Sequence, residues 1–182
     1  MEQHNAVTAR AIFAGGCFWC MEPPFAKLDG VQAVVSGYIG GHQENPTYRE
    51  VCTGTTGHTE AIEVIYDPDK ISYEQLLEVF WMNIDPTDES GQFVDRGSQY
   101  RTGIFYLDEG QKQLAEASRE RLAASGRYRR PIVTEIVAAA HFYPAEDYHQ
   151  GYCKTHPVDY KLYRYGSGRD QFLRKVWGKD EK

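Results

Sequence analysis

The chain has 182 residues, 41% hydrophobic and 25% charged, which suits one domain, residues 1–182, with a sizeable core. No apolar run nears the ~18 residues of a membrane span, and residues 1–10 lack a basic stretch followed by an apolar one, so a soluble, cytoplasmic protein with no membrane partner is expected. The formal charge of −6 argues against a nucleic-acid partner, and the one basic cluster, Arg127-Tyr128-Arg129-Arg130, reads as a solvated connection.

Residues 8–14 alternate as a strand closed by Gly15-Gly16, and from Cys17 to Leu28 the apolar spacing turns helical, with a kink or restart expected near Glu22 because Pro23 and Pro24 follow. Asp29-Gly30 is a turn before a second strand at 31–38. Residues 39–58 form a long polar segment without periodicity, and loops of that length in a compact domain are usually functional. TEAIEVIY at 59–66 is a third strand, stopped by Asp67-Pro68. Ser72 with Gln75 makes a capping box for a helix through Trp81. After an irregular stretch at 83–98 come a fourth strand at 99–107, a helix capped by Asp108 and Gln111 that runs to about Ser125, and a fifth strand at 131–140. The order β-α-β-β-α-β predicts an α+β fold, a ferredoxin-like α/β sandwich core (split βαβ) with an added helix and strand and long active-site loops.

Four cysteines, Cys17, Cys20, Cys52 and Cys153, are too sparse for a disulfide scaffold, which leaves them as core residues, metal ligands or working thiols. Thirteen tyrosines are hard to place in a dry core, since each buried phenol needs a partner. In Gly15-Gly16-Cys17-Phe18-Trp19-Cys20 a strand ends in two glycines and feeds a helix, which sets Cys17 at the positive end of the helix dipole and predicts a lowered thiol pKa. Helical geometry brings Cys20 onto the same face. Zinc would need a second ligand pair, and Cys52 and Cys153 are isolated, so no metal is expected. Two readings stay open: a thioredoxin-like redox or sensing module, and a thiol enzyme that attacks a small oxidised substrate. The enzyme needs an acid and a polar pocket. Glu60, at a loop-to-strand junction, is placed for desolvation and a raised pKa, and Tyr48 and Tyr100 sit in otherwise polar turns.

GGCFWC, SGYIGG at 36–41, NPTYREVCTGTTGHTE at 45–60, DRGSQYR at 95–101 and YPAEDYHQ at 143–150 together resemble the peptide methionine sulfoxide reductase A family, in the same order and spacing. The resemblance runs from about residue 11 to 156. It implies a cofactor-free enzyme that reduces the S epimer of methionine sulfoxide, free or in oxidised proteins. It implies Cys17 as nucleophile, Glu60 as the acid that protonates the sulfoxide oxygen, and Tyr48 and Tyr100 as phenols bonded to that oxygen. Phe18 and Trp19 align with the aromatic wall for the S-methyl group, and Asp95 with a residue that binds the methionyl backbone. Cys17 would become a sulfenic acid, condense with a second thiol, and be reset by thioredoxin or a similar dithiol.

The family's tail cysteines have no counterpart in residues 158–182, so another thiol must resolve Cys17. Cys20 is the first choice by proximity and Cys153 the alternative, while Cys52 reads as a packing residue. His149 is either a hydrogen-bonding support for the site or a structural histidine. The tail from about residue 157 is expected to wrap the core, and residues 164–174 are open between that role and a surface for the reductant.

Overall fold

The computed structural model describes residues 7–178. Residues 1–6, part of the stretch read for a leader, and residues 179–182, the end of the tail, lie outside the described residues.

A six-stranded sheet carries the fold. In chain order its strands are β1 (Ala9–Gly15), β2 (Val31–Ile39), β3 (Thr59–Tyr66), β6 (Thr102–Tyr106), β7 (Glu135–Ala138) and β8 (Tyr143–Pro144). Two further short strands, β4 (Gly91–Gln92) and β5 (Asp95–Arg96), form a hairpin of their own. The sheet order is β7-β6-β1-β3-β2-β8, antiparallel throughout except for the parallel β6–β7 pair. The helices are α1 (Phe18–Ala26), α2 (Tyr48–Cys52), α3 (Tyr73–Trp81), α4 (Glu109–Ala124), α5 (Tyr152–Thr155), α6 (Pro157–Gly166) and α7 (Arg169–Trp177).

The pleat sorts β1 and β3 into two faces. Ala11, Phe13, Ile62 and Val64 face the larger core, where Phe13 stacks on Phe25, Tyr73 and Phe80 at ring-centroid distances of 5.5, 6.0 and 5.1 Å. Ile12, Ala14 and Ala61 face the other way and meet Ile39 and Phe105 in a smaller cluster. Both faces of β1 are therefore covered, and its last five residues are all buried.

The third strand, the capping box of Ser72 and the N-cap of Asp108 lie where their sequence signals set them; Ser72 accepts from the Gln75 N–H and Asp108 from the Gln111 N–H. Three expectations change. First, α1 runs unbroken through Pro23 and Pro24. Pro24 has no N–H for the Cys20 carbonyl one turn earlier, and that oxygen accepts instead from Arg164 Nη1 at 2.9 Å. Second, the 39–58 segment holds one turn of helix, α2. Thr47 accepts from the Glu50 N–H and Glu50 from the Thr47 N–H, a local signature that the loop's lack of apolar periodicity conceals. Third, more follows the first six elements than one helix and one strand: β8 pairs with β2, and α5 to α7 pack against residues near the chain's start.

The three arginines of the Arg127–Arg130 cluster are exposed but not idle, and Tyr128 among them packs against the core. Arg127 donates to the Val176 carbonyl at 2.7 Å and lies 3.9 Å from the Trp177 ring centroid, tying α4's exit to α7. Among the described residues no helix is long and apolar enough to cross a membrane.

Candidate active site

Antiparallel register sets the site. Two residues past the Phe13–Ile62 pair, β1 leaves for α1 while β3 begins, so the start of α1 and the start of β3 meet. Cys17 is the N-cap of α1 and Glu60 the second residue of β3. The Phe18 N–H, one of the orphan donors of the first turn, bonds to Glu60 Oε2 at 3.0 Å. Glu60 is 2% exposed, and burial raises its pKa to about 8 against the opposing pull of that N–H.

The loops on either side are cross-tied at the same place. His58 Nδ1 accepts from the Gly41 N–H and Nε2 donates to the Gln43 carbonyl, which folds the 39–58 loop back on itself. A Cβ on Gly41 would lie 2.4 Å from the His58 backbone nitrogen, so only glycine fits there. Thr59 Oγ1 reaches the Gln99 and Arg101 carbonyls, and Gln99 Nε2 reaches the Cys52 carbonyl. These bonds bring Tyr48 from α2 and Tyr100, at the end of a 3-10 turn, to Glu60. The pKa values of both phenols are raised far above the ordinary, first by burial and then by the Glu60 charge, so both stay protonated donors across the working pH range.

Aromatic rings form one wall. Trp19 stacks on Tyr152 with centroids 3.9 Å apart, and its indole N–H donates to His149 Nδ1 at 3.1 Å. That acceptor role puts the His149 proton on Nε2, and burial lowers the ring's pKa, so the histidine is neutral. Its ring lies 5.0 Å from Phe18 and 4.3 Å from Tyr48. Glu146 clamps this wall by accepting from the Tyr38 hydroxyl at 2.9 Å and the Tyr48 N–H at 3.1 Å.

The dithiol is buried. Cys17 is 6% exposed and Cys20 1%, and their sulfurs are hydrogen-bonded to each other. All four cysteines are free thiols. The expected lowering of the Cys17 pKa is reversed: burial, the thiol's hydrogen bond to Cys20 and the nearby Glu60 carboxyl push it up. The Cys17 side chain accepts no cap hydrogen bond from the first turn of α1, whose Phe18 N–H is given to Glu60. Cys20 is pulled down to about 7, first by the hydrogen bond from Cys17 and then, against its own burial, by Arg169 and Arg164.

Cys17, Phe18, Trp19, Cys20, Tyr48, Glu60, Asp95, Tyr100 and His149 thus surround one place. Cys153 is half-buried on α5, with Glu22 and Lys154 as its charged neighbours. Cys52 is corrected from packing residue to exposed thiol: Val51 takes the buried position of the one-turn α2, and the Cys52 sulfur meets the Tyr48 hydroxyl. Three residues of the tail have no sequence signal and still reach the site. The Tyr163 hydroxyl donates to Asp95 Oδ2 and lies beside the Cys17 sulfur. Arg164 holds the Cys20 carbonyl, and Arg169 lies under Gly15. The one hint was the Pro23-Pro24 pair, which requires an outside donor for a freed carbonyl.

A family model described as peptide methionine sulfoxide reductase matches residues 9–181. The chain belongs to the peptide methionine sulfoxide reductase family. Peptide methionine sulfoxide reductase MsrA of Bacillus subtilis (strain 168) is 58% identical over 168 residues, spanning 92% of this chain and 95% of that one. Methionine sulfoxide reductase A of Corynebacterium diphtheriae, a solved structure, superposes with a TM-score of 0.75 at 36% identity, over 87% of this chain and 79% of the other. Mxr1 of Saccharomyces cerevisiae in reduced form superposes at 0.79 with 30% identity, over 86% and 90%. Mxr1 solved in complex with Trx2 shares the fold at 22% identity and a TM-score of 0.58, over 84% and 89%. Membership makes the chain an oxidoreductase acting on sulfur, a methionine sulfoxide reductase that works by thiol chemistry. The alternative of a redox or sensing module without that activity gives way to it.

Proposed function

We propose that Cys17 attacks the S epimer of methionine sulfoxide, free or in oxidised proteins, while Glu60 protonates the departing oxygen. The observation that carries this assignment is the buried Glu60 carboxyl, fixed by the Phe18 N–H beside Cys17 and protonated up to about pH 8. A sulfoxide oxygen accumulates negative charge as a thiol attacks sulfur, so a neutral acid and preorganised phenol donors lower the barrier. Tyr48 and Tyr100 are those donors. The Cys17 thiol gives up its proton as Glu60 gives one to oxygen, and the products are methionine and a Cys17 sulfenic acid. Since the resting Cys17 is a thiol, its proton must leave in step with the attack.

Phe18 and Trp19 receive the S-methyl group, Asp95 binds the methionyl backbone, and His149 supports the wall by holding the Trp19 indole. Cys20 resolves the sulfenic acid as a disulfide, a reading favoured by its contact with Cys17 and by the different surroundings of Cys153. Thioredoxin or a similar dithiol then restores both thiols by exchange. Four free thiols and a need for electrons suit the cytoplasm. No metal or organic cofactor enters this chemistry. For the fold, the antiparallel order β6-β1-β3-β2 with α1 and α3 between strands supports the ferredoxin-like split βαβ core, in one domain with the tail wrapped on it.

The test is consumption of each separated epimer with dithiothreitol by wild type and Cys17→Ser. Turnover of the S epimer by wild type alone is expected. Turnover that survives Cys17→Ser, or preference for the R epimer, overturns the assignment.

A further inference from the structure

Arg169, the first residue of α7, is 1% exposed, as buried as any core residue. Its Nη1 donates to the Asn83 carbonyl at 2.6 Å and lies 3.6 Å from Met21 Sδ, and its Nη2 donates to the Gly15 carbonyl at 3.0 Å. The Phe93 ring centroid is 4.7 Å from the guanidinium. Among the described residues no carboxylate forms an ion pair with it, and its Nε has no hydrogen-bond partner. Gly16, at φ +84°, makes room: a Cβ there would lie 2.9 Å from Arg169 Nη2 and 2.6 Å from Gln92 Cβ. Arg164 comes to the same dithiol from α6, through the carbonyl that Pro24 leaves free, and it is paired with Asp170 at 2.8 Å. A buried cation without a paired carboxylate is costly unless another negative group supplies the countercharge. Two negative groups lie in reach: the Asp95 carboxylate, whose charge Arg169 favours, and the Cys17–Cys20 dithiol, where both arginines act on Cys20.

We propose that Arg164 and Arg169, carried in by the α6–α7 segment, are positioning residues for resolution: their charge holds Cys20 in the anionic form that attacks oxidised Cys17. The inference rests on the reading of Cys17 and Cys20 as the working pair. In the step, the Cys20 thiolate attacks the sulfur of the Cys17 sulfenic acid. The S–S bond forms as the S–O bond breaks, and the hydroxide leaves with a proton as water. The oxidising equivalent comes from the sulfoxide already reduced.

The groups facing the dithiol are Glu60 from β3, Asp95 from β5, Tyr160 and Tyr163 from α6, and the two arginines. Near neutral pH Glu60 is largely uncharged, and at Cys20 the two cations outweigh the opposing charge of Asp95, which Tyr163 engages. The depressed pKa of Cys20, with both arginines among its causes, accords with this geometry. A low thiol pKa also makes Cys20 a good leaving group when an external dithiol reopens the disulfide.

The experiment is a pH titration of thiolate ultraviolet absorbance on the reduced full chain, in wild type, Cys20→Ser, Arg164→Met, Arg169→Met and Arg169→Lys. A wild-type midpoint near 7 that disappears in Cys20→Ser is expected. Each Met variant should raise the midpoint by about one unit or more, and Lys should keep most of the effect. Disulfide formation after one equivalent of methionine sulfoxide should slow about fivefold or more at neutral pH in the Met variants, in step with the lost thiolate. Unchanged midpoints in both Met variants, with native circular dichroism, overturn the proposal. Should Arg169→Met not fold, Arg164→Met decides alone. The titration needs no turnover, so its outcome is separable from failure of the sulfoxide assay.

Discussion

The Glu60 carboxyl and the Phe18 backbone N–H meet at 3.0 Å, and this contact joins the start of β3 to the first turn of α1 beside Cys17. It spends the helix's free N–H on the acid rather than on the thiol. The carboxyl is fixed in place yet still protonated at neutral pH, and the cysteine rests as a thiol.

Glu60→Gln should lower kcat by on the order of 100-fold or more with a much smaller change in KM, because a proton delivered in the transition state is lost. The wild-type rate should fall as pH rises through about 8, and that limb should vanish in the variant. The sign for stability is the same. A carboxyl whose pKa is raised by folding stabilises the native state fully below the unfolded value and loses that contribution as pH rises through the folded one. Urea titrations should therefore show wild type losing stability between about pH 4.5 and 8 relative to Glu60→Gln. A shared pH limb in the two proteins would count against the acid role.

Tyr48→Phe and Tyr100→Phe should each slow sulfoxide reduction by roughly tenfold, since the second phenol still serves the same oxygen. The double variant should lose on the order of 10² to 10³. Steady-state rates with the S epimer check this; a double variant no slower than the worse single one would remove the phenols from oxygen stabilisation.

Tyr163→Phe leaves the Asp95 carboxylate without its phenol donor. A destabilisation of about 1–2 kcal/mol is expected from chemical unfolding. Asp95 already has a pKa raised by burial and lowered in part by Tyr163, so loss of the phenol should push it higher. A rise in KM for a methionine sulfoxide peptide near neutral pH should accompany it, and equal KM values would separate Tyr163 from the substrate side of Asp95.

Cys20→Ser should keep the first turnover and stop there with dithiol reductants in short supply. The Cys17 sulfenic acid should then accumulate and be captured by dimedone, read by peptide mass mapping. A Cys17 disulfide formed at the wild-type rate in this variant would shift the resolving role to Cys153.

The sequence by itself determined the elements whose signals are local. TEAIEVIY closed by Asp67-Pro68 is β3 to the residue, and the capping box at Ser72 and the N-cap at Asp108 start α3 and α4, because capping and alternation depend on neighbours a few positions away. It also determined the family, since five motifs in register leave little freedom. Only the tertiary structure decided the state of the thiols. Proximity to a helix start predicted a depressed Cys17 pKa, but burial and Glu60, 43 positions on in sequence, raise it instead. Cys52 turned outward because one turn of helix buries a single neighbour, Val51. Tyr163, Arg164 and Arg169 reach Asp95, the Cys20 carbonyl and Gly15 from a tail whose sequence points only to wrapping the core or, at 164–174, to a surface for the reductant. Charge acts through space and burial is set by the whole fold, so neither leaves a periodic mark on the chain.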